Sequence, residues 1–269
     1  MQEIDFVMKT LRNCCLLFVL ILIPYILTAN PFSSKINRGN TKIHSFRKAK
    51  TLLLLLYKKK PNRVTFYCGC SWSEDKKVSH ISCGYKPRRT RTRSGKLNER
   101  AYRIEWEHVV PAHKFGKNFK EWTDGHPKCG KKKGRRCAEK TNELFRFMLS
   151  DLYNLVPAIG EVNANRSNFV MAVIPGESRE YGECDVEITN GKAEPVETIR
   201  GNVARIYLYM NWAYPNIKIL TEKDKKLFSV WNNADPVDAW ECALAKSIEK
   251  LQRNENPFVK QPCLTSGNW

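Results

Sequence analysis

The stretch over residues 103–112 places the tightest constraint on how this chain folds. Apolar and polar residues alternate before it ends, which predicts a short, half-buried strand. The predicted apolar face consists of Tyr102, Ile104 and Trp106. Glu107 and His108 follow directly, and Pro111 ends the strand because proline cannot donate to a central sheet ladder. The sequence therefore predicts a strand that ends at a carboxylate beside an imidazole.

The Glu107-His108 pair offers a metal ligand and a general base, the two groups that metal-assisted hydrolysis needs. Neighbouring side chains of a regular strand point to opposite faces. Both residues can therefore serve one site only if the strand ends or bulges between them, and Pro111 favours an end. The alternative is an exposed carboxylate beside a structural histidine.

The N-terminus predicts export. Lys9 and Arg12 precede an apolar run over 14–27, and Ala29 follows it. This order is typical of a secretory signal, here 1–29, so we expect a periplasmic or secreted protein. An uncleaved anchor is the alternative, but the run is roughly 14 residues and a spanning helix needs about 20.

Cysteine content agrees with an oxidising compartment. Of the 10 cysteines, all but Cys14 and Cys15 lie beyond the predicted signal. The others are Cys68, Cys70, Cys83, Cys129, Cys137, Cys184, Cys242 and Cys263. Their even number predicts four disulfides, with 105 pairings open. Zinc is the rival, but no pair has the C-x₂-C spacing of a structural zinc site.

The charge balance favours a polyanionic partner. Lys and Arg total 46 against 27 Asp and Glu, a formal charge of +19, which suits nucleic acid, an anionic membrane surface or an acidic polysaccharide. Two clusters carry much of it: Lys86, Arg88, Arg89, Arg91 and Arg93, and then Lys131, Lys132, Lys133, Arg135 and Arg136. Cys129 and Cys137 bracket the second cluster, which predicts a pinned basic loop suited to a phosphate backbone. A solvated surface is the alternative for both clusters.

The rest of the chain predicts mostly helices and no clean domain boundary. The chain up to residue 155 predicts a flexible segment over 30–44, a helix over 45–60, a strand over 64–68, and a helix over 141–155 that Thr141 caps and Pro157 closes. Turns over 160–169 and one or two short strands over 169–189 follow. The last third predicts a helix over 197–213, a helix capped by Thr221, and a helix opened by Asp235-Pro236 and ended by Asn256-Pro257.

Several blocks together resemble the bacterial endonuclease I family of periplasmic and secreted nonspecific nucleases. The blocks are Ile104-Glu105-Trp106-Glu107-His108-Val109-Val110-Pro111-Ala112, Ser150-Asp151-Leu152-Tyr153-Asn154-Leu155, Gly160-Glu161-Val162-Asn163 with Arg166-Ser167-Asn168-Phe169, Phe66-Tyr67-Cys68-Gly69-Cys70, and Trp240-Glu241-Cys242. The resemblance spans roughly residues 45–263 and keeps the blocks in order.

The resemblance implies an α+β fold: a mainly helical, disulfide-stabilised single domain over 45–269 around a ββα-metal (His-Me finger) core. It implies one divalent cation, Mg²⁺, for which Mn²⁺ or Ca²⁺ would substitute in binding. His108 is then the general base, and Glu107 and Asn154 are the metal ligands. In the alternative, Asn154 is a helix-end cap and Asn163 or Asn168 is the ligand.

One departure from the family concerns the phosphate contact. Family members carry an arginine about nineteen residues after the histidine, where its fork steadies the scissile phosphate. Residues 124–129 contain no arginine. Lys128 is the expected replacement in the catalytic site, and Arg135, Arg136 and Arg166 are the expected substrate contacts.

The expected function is hydrolysis of DNA, and also of RNA, to 5′-phosphate ends by a monomer without a membrane span after signal cleavage. Unpinned loops would make such an enzyme inactive in a reducing cytoplasm. The alternative is a non-catalytic cationic protein that binds nucleic acid or an envelope polyanion on the same scaffold. A zinc peptidase is disfavoured because the chain lacks H-E-x-x-H.

Overall fold

A computed structural model describes residues 37–59, 63–176 and 178–269. The predicted signal lies outside the described residues. The α-helices are α1 (Phe46–Lys58), α2 (Ala112–Gly116), α3 (Lys120–Thr123), α4 (Arg135–Thr141), α5 (Glu143–Leu149), α6 (Gly160–Arg166), α7 (Arg200–Ala213), α8 (Glu222–Ala234), α9 (Ala239–Gln252) and α10 (Pro257–Thr265). The strands are β1 (Ile104–His108), β2 (Leu155–Ile159), β3 (Val170–Met171), β4 (Val186–Thr189) and β5 (Lys192–Pro195). Short 3-10 turns cover His80–Ser82, Glu99–Tyr102, Pro127–Cys129, Leu152–Asn154 and Glu197–Ile199.

The predicted strand before the Glu-His pair is confirmed as β1. Ile104 and Trp106 are buried, whereas Glu105 is half-buried. β1 pairs antiparallel with β2, and the register sets Trp106 opposite Pro157. A proline fits here because this sheet has two strands, so each strand has an open edge.

The helix predicted over 141–155 is confirmed only over Glu143–Leu149, as α5, and its cap is Asn142 and not Thr141. Asn142 separates α4 from α5, and its side chain accepts a hydrogen bond from the N–H of Phe145 at 2.9 Å. Asp151 caps the next 3-10 turn by accepting from the N–H of Tyr153 at 3.1 Å. The predicted apolar stripe therefore runs past two capping residues, Asn142 and Asp151. A new helix or turn begins at each because these side chains accept hydrogen bonds from N–H groups at the helix end.

Helix α6 was predicted as turns because it is short and rich in Asn and Gly. It packs closely on the turn at Glu99–Tyr102. A Cβ at Gly160 would lie 2.8 Å from the carbonyl oxygen of Arg100, so only glycine fits there without displacement. This close approach sets α6 beside β1.

The strand predicted over 64–68 is also wrong. Only an isolated bridge joins Val64 to Ser71, and the chain then turns at Gly69, whose φ is +66°. The N–H of Phe66 donates to the carbonyl of Pro157 at 2.7 Å, which ties the segment to β2. The one or two short strands predicted over 169–189 are confirmed as β3 and β4. They form a second sheet with β5, which follows them in the chain, in the order β3-β5-β4.

Four disulfides are confirmed, and their pairing is now defined. The bonds join Cys68 to Cys184, Cys70 to Cys83, Cys129 to Cys137, and Cys242 to Cys263. The first two fix both sides of the turn at Gly69. The third closes the basic loop over 129–137, as the sequence predicts.

The last third is helical as predicted, with shifted boundaries. Thr221 caps α8 in a reciprocal capping box with Asp224. Asp238 rather than Asp235 caps α9, and Asn256 begins α10 instead of only ending the previous helix. None of the helices in the described ranges is long and apolar enough to cross a membrane.

The described end of the predicted lead-in packs on the domain. Asn40 and Ile43 are buried. The N–H of Asn40 donates to the hydroxyl of Tyr214 at 3.0 Å, and its side-chain amide donates to the carbonyl of Phe147 at 2.9 Å. Residues 37–44 therefore belong to the folded unit.

Candidate active site

A cleft of about 600 Å³ opens at the end of β1. Its lining includes Glu105, Glu107, His108, Arg135, His113 and Asn163. Glu107 and His108 both line this cleft. β1 runs through both residues and ends at His108, so the predicted end between them is not observed.

His108 is held in one orientation and one tautomer. Its Nε2 lies 2.8 Å from the carbonyl oxygen of Leu149. A carbonyl only accepts, so Nε2 carries the proton and Nδ1 keeps a lone pair. The ring of Phe46 packs on the imidazole at a centroid distance of 4.8 Å. Burial and the nearby guanidinium of Arg135 lower the pKa of His108 to about 3, so the imidazole is neutral at neutral pH.

Glu107 is a buried carboxylate held from one side. Its Oε1 accepts from the hydroxyl of Tyr67 at 3.4 Å and from Nη1 of Arg166 at 2.9 Å. Burial raises the pKa of Glu107 to about 7, against the opposing effect of Arg166. Both side-chain hydrogen bonds fall on Oε1, which leaves Oε2 for another partner.

Arg166 does not contact the cleft, which contradicts the predicted substrate contact. Its side chain is 1% exposed. Besides Glu107, it donates to the carbonyls of His108 at 3.0 Å and Val109 at 2.6 Å, and to the hydroxyl of Tyr207 at 3.1 Å. A guanidinium supplies several donors in a fixed fork, and here they hold the end of β1.

Asn154 is likewise placed away from the cleft, which contradicts the predicted metal ligand. It is fully buried. Its Oδ1 accepts from the N–H of Val110 at 2.7 Å, and its Nδ2 donates to the carbonyl of Val110 at 3.0 Å. With both amide atoms engaged, Asn154 pins the chain beyond β1, a structural role akin to the cap that sequence reasoning left open.

Asn163, the alternative ligand, does line the cleft, as does the exposed Asn168. The Nδ2 of Asn163 donates to Oε2 of Glu105 at 3.3 Å. Arg100 holds the same carboxylate, with its Nε 2.9 Å from Oε1. Because its nitrogen faces Glu105, Asn163 keeps its oxygen for another partner.

Two parallel contacts therefore join β1 to α6. Glu105 and Glu107 lie two residues apart, on one face of a strand. Asn163 and Arg166 lie three residues apart, on one face of a helix. Glu105 meets Asn163, and Glu107 meets Arg166.

The basic residues divide between the cleft and the outer surface. Arg135 lines the cleft, with its guanidinium 5.3 Å from the centroid of the Phe46 ring. Lys128 and Arg136 are exposed and do not line it. The predicted catalytic lysine is therefore not brought to the site, and Arg135 is the predicted contact that is.

His113 is a cleft residue that sequence reasoning missed. It lies on α2, and its ring meets that of Trp122 edge-on at 5.9 Å. The available signal was its position, since it follows His108 by five residues and Pro111 by two, in the first turn of α2.

The family resemblance implies a metal ion, and the cleft offers few ligands for one. Among the described residues, no group of three or more His, Cys, Asp or Glu is placed to hold a metal ion. A cation here would depend on few protein ligands, the Glu107 carboxylate and the Asn163 amide oxygen. Hard oxygen donors with room for water suit Mg²⁺, so the residues fit this group.

A second cavity, of about 240 Å³, lies beside β2 and contains none of the predicted site residues. Its walls are largely apolar, with Leu152, Val156 and Ile206 among them. The chemistry is therefore concentrated at the end of β1.

Comparison with known proteins shows which family the chain resembles. A family model for endonuclease I matches residues 45–263. Endonuclease-1 of Buchnera aphidicola subsp. Acyrthosiphon pisum (strain APS) is 41% identical over 228 residues, which is 82% of each chain. An extracellular deoxyribonuclease of Aeromonas hydrophila is 41% identical over 227 residues, 82% of this chain and 90% of the relative. A periplasmic deoxyribonuclease of the same species is 40% identical over 225 residues, 81% of this chain and 86% of the relative.

Fold, cleft and comparisons together define a disulfide-stabilised nuclease. The chain belongs to the endonuclease I family, and the protein is an endonuclease.

Proposed function

We propose that this protein is an exported, Mg²⁺-dependent endonuclease that hydrolyses DNA, and also RNA, without sequence preference. The observation that supports this most directly is the convergence of Glu107, His108 and Asn163 on one cleft beside Arg135. Relatives named extracellular and periplasmic deoxyribonucleases support both the substrate and the export.

In this proposal His108 is the general base. Its unprotonated Nδ1 accepts a proton from the attacking water, while Nε2–H donates to Leu149 and orients the ring. The carbonyl of Leu149 also stabilises the imidazolium as it forms. The imidazole is neutral before the reaction, so Nδ1 has a lone pair for the proton, while the burial and the Arg135 charge that lower its pKa make it a weaker base.

Glu107 and Asn163 would hold the cation, and β1, β2 and α6 would form the His-Me finger core. The bound cation would supply positive charge at the scissile phosphate and at the leaving 3′ oxygen, which yields 5′-phosphate ends. Arg135 would neutralise a phosphate oxygen at the rim. Arg166 would keep the Glu107 carboxylate in place without touching substrate.

Recognition through phosphates explains a lack of sequence preference. Contacts to phosphate and sugar position a nucleic acid but carry no direct sequence information. A cleft that contacts phosphate through Arg135 and a bound cation would accept either DNA or RNA, and its binding would weaken with salt.

Plasmid nicking by the oxidised protein tests the proposal. We expect nicking with Mg²⁺, none with EDTA, and none from His108→Ala, which should still bind DNA. His44→Ala is the matched control, because His44 is exposed and lies outside the cleft lining. Nicking that survives EDTA would exclude the metal. Nicking by His108→Ala at the control rate would exclude the base.

The same experiment separates the enzyme from a non-catalytic binder. A protein that only binds polyanions would retard plasmid DNA in a gel but leave it supercoiled, and His108→Ala would change nothing.

A further inference from the structure

A basic loop outside the cleft is not used by the chemistry above. We define residues 86–97 as the basic arm, a segment without Asp or Glu. Its exposed cations are Lys86, Arg88, Arg89, Arg91, Arg93 and Lys96. We propose that the basic arm is a second phosphate-binding surface, which holds nucleic acid beyond the segment that occupies the cleft. This inference rests on the proposed function and adds a substrate-positioning surface to it.

The basic arm has a defined shape. The N–H of Thr92 donates to the carbonyl of Lys96 at 2.8 Å, and the N–H of Asn98 donates to the carbonyl of Thr90 at 2.9 Å. Gly95 turns the tip with a φ of +79°, and its N–H donates to the carbonyl of Thr92 at 3.0 Å. These bonds fix the backbone from which the side chains extend, so the arm differs from a solvated tail.

A buried carboxylate anchors the arm at its base. Glu161 is 4% exposed. It accepts from the backbone N–H groups of Arg88 at 3.0 Å and Arg89 at 2.9 Å, and from the side-chain amide of Asn98 at 3.0 Å. These bonds engage main-chain groups of the arginines, so their guanidinium groups stay outside the anchor.

The anchor also ties the arm to the cleft. Glu161 lies on α6, two residues before Asn163. At the other end, Asn98 lies two residues before Arg100, which lines the cleft and binds Glu105. The arm is therefore joined to the cleft wall near Arg100 and along the same short helix that carries Asn163.

Some cations of the basic arm form an interaction within the described parts of the chain, and others form no ion pair there. Arg88 pairs with Glu180 at 2.9 Å, and Arg91 donates to the carbonyl of Gly95 at 2.8 Å. By contrast, no carboxylate in the described parts of the chain pairs with Arg89, Arg93 or Lys96. Exposed cations without a counter-charge are available to a polyanion.

Salt-dependent binding tests the arm. His108→Ala serves as the parent protein, so that nucleic acid is bound without being cut. The arm variant adds Arg89→Ala, Arg93→Ala and Lys96→Ala. The matched control adds Lys223→Ala, Lys226→Ala and Lys246→Ala, which removes the same charge from exposed positions outside the arm and the cleft lining. Equal thermal melting of the two variants checks that both fold.

The slope of log Kd against log salt is the readout, measured on a duplex long enough to extend well beyond the cleft. Each lost phosphate contact lowers the slope by about 0.9, so we expect a loss of about 2.7 for the arm variant and little change for the control. With His108 restored, the arm variant should show its effect in KM more than in kcat.

Three results would overturn the inference. Equal slopes for arm variant and control, with the parent still binding, exclude the arm but leave the nuclease intact. Loss of binding only to an acidic polysaccharide assigns the arm to another partner. A parent that binds no nucleic acid at all removes the proposed function and the arm with it.

Discussion

Arg166 donates to Glu107 across 2.9 Å in an ion pair whose side chains are only 1% and 5% exposed. The same guanidinium holds the carbonyls of His108 and Val109. One buried cation thus fixes both the carboxylate and the main chain at the end of β1. Charge buried in this way is stable only while every partner is present.

Arg166→Met tests that dependence. The variant leaves the Glu107 carboxylate buried without its partner, so we expect a loss of roughly 3–5 kcal/mol in the free energy of unfolding. Chemical denaturation measures it. Arg136→Met is the control, because Arg136 is exposed and outside the cleft lining. Equal stability of the two variants would show that the ion pair is dispensable.

Replacement by alanine should weaken metal binding at Asn163 and lower stability at Asn154. Asn163→Ala removes the proposed amide ligand from a half-buried position, so we expect at least ~10-fold weaker Mn²⁺ binding with the fold retained. Asn154→Ala leaves the N–H and carbonyl of Val110 unpaired in the core, at a cost of about 1–3 kcal/mol in stability. Calorimetry measures the first effect and denaturation the second. The reverse pattern would restore Asn154 as the ligand.

The Glu107-His108 pair could be found from sequence because its signals are local. Alternation over 102–107 predicts a strand from a few neighbouring residues, and Pro111 marks its end. Both signals reflect backbone geometry that does not depend on the rest of the fold. The cysteines similarly predict four bridges by their number, although only three-dimensional contact decides the pairing.

Asn163 was harder to place because α6 has only seven residues. A helix this short is marginal in isolation and depends on tertiary packing. Here the packing comes from Gly160 against the turn at Arg100 and from the side-chain contacts to β1. The burial of Arg166 could not be predicted for a related reason. The sequence does not distinguish a surface arginine from a buried one until its partner, here Glu107, is known.

Arg135 and Arg136 are adjacent, but only Arg135 lines the cleft. Replacing a positive group that faces developing phosphate charge typically costs on the order of 100-fold in rate, so we expect such a loss in kcat/KM for Arg135→Ala. Arg136→Ala removes the same charge nearby and should change the rate little. Initial rates on linear DNA at fixed salt compare the two. Equal losses would mean that general charge, not position, controls the rate.

Asp224 should give stability that depends on pH. Partial burial pushes its pKa upward, but hydrogen bonds from Thr221 and the ammonium group of Lys114, 3.2 Å away, outweigh it and lower the pKa below its usual value. A lowered folded-state pKa stabilises the protein above the unfolded pKa, about 3.9, and this contribution is lost as pH falls through the folded value.

Asp224→Asn removes this contribution. The variant should be less stable by ~1 kcal/mol at neutral pH, typical of a helix cap, and the gap should close in acid. Thermal melts across that pH range measure the gap, with Asp124→Asn as an exposed control outside the α8 cap. A gap that widened toward low pH would contradict the assigned sign.

The bond between Cys129 and Cys137 should matter for activity more than for stability. It closes the loop that leads into α4, which begins with Arg135. The Cys242–Cys263 bond spans a longer separation, 21 residues against 8, and joins helices outside the cleft lining. Chain entropy assigns both bonds a similar stabilisation of roughly 2.5–3.5 kcal/mol.

Replacing each pair by serines should therefore lower stability alike, whereas only Cys129→Ser with Cys137→Ser should release Arg135 and slow nicking sharply. Reductant should slow the wild-type enzyme in the same way. If the two double variants nick DNA at equal rates while folded, the loop is not what holds Arg135 at the cleft.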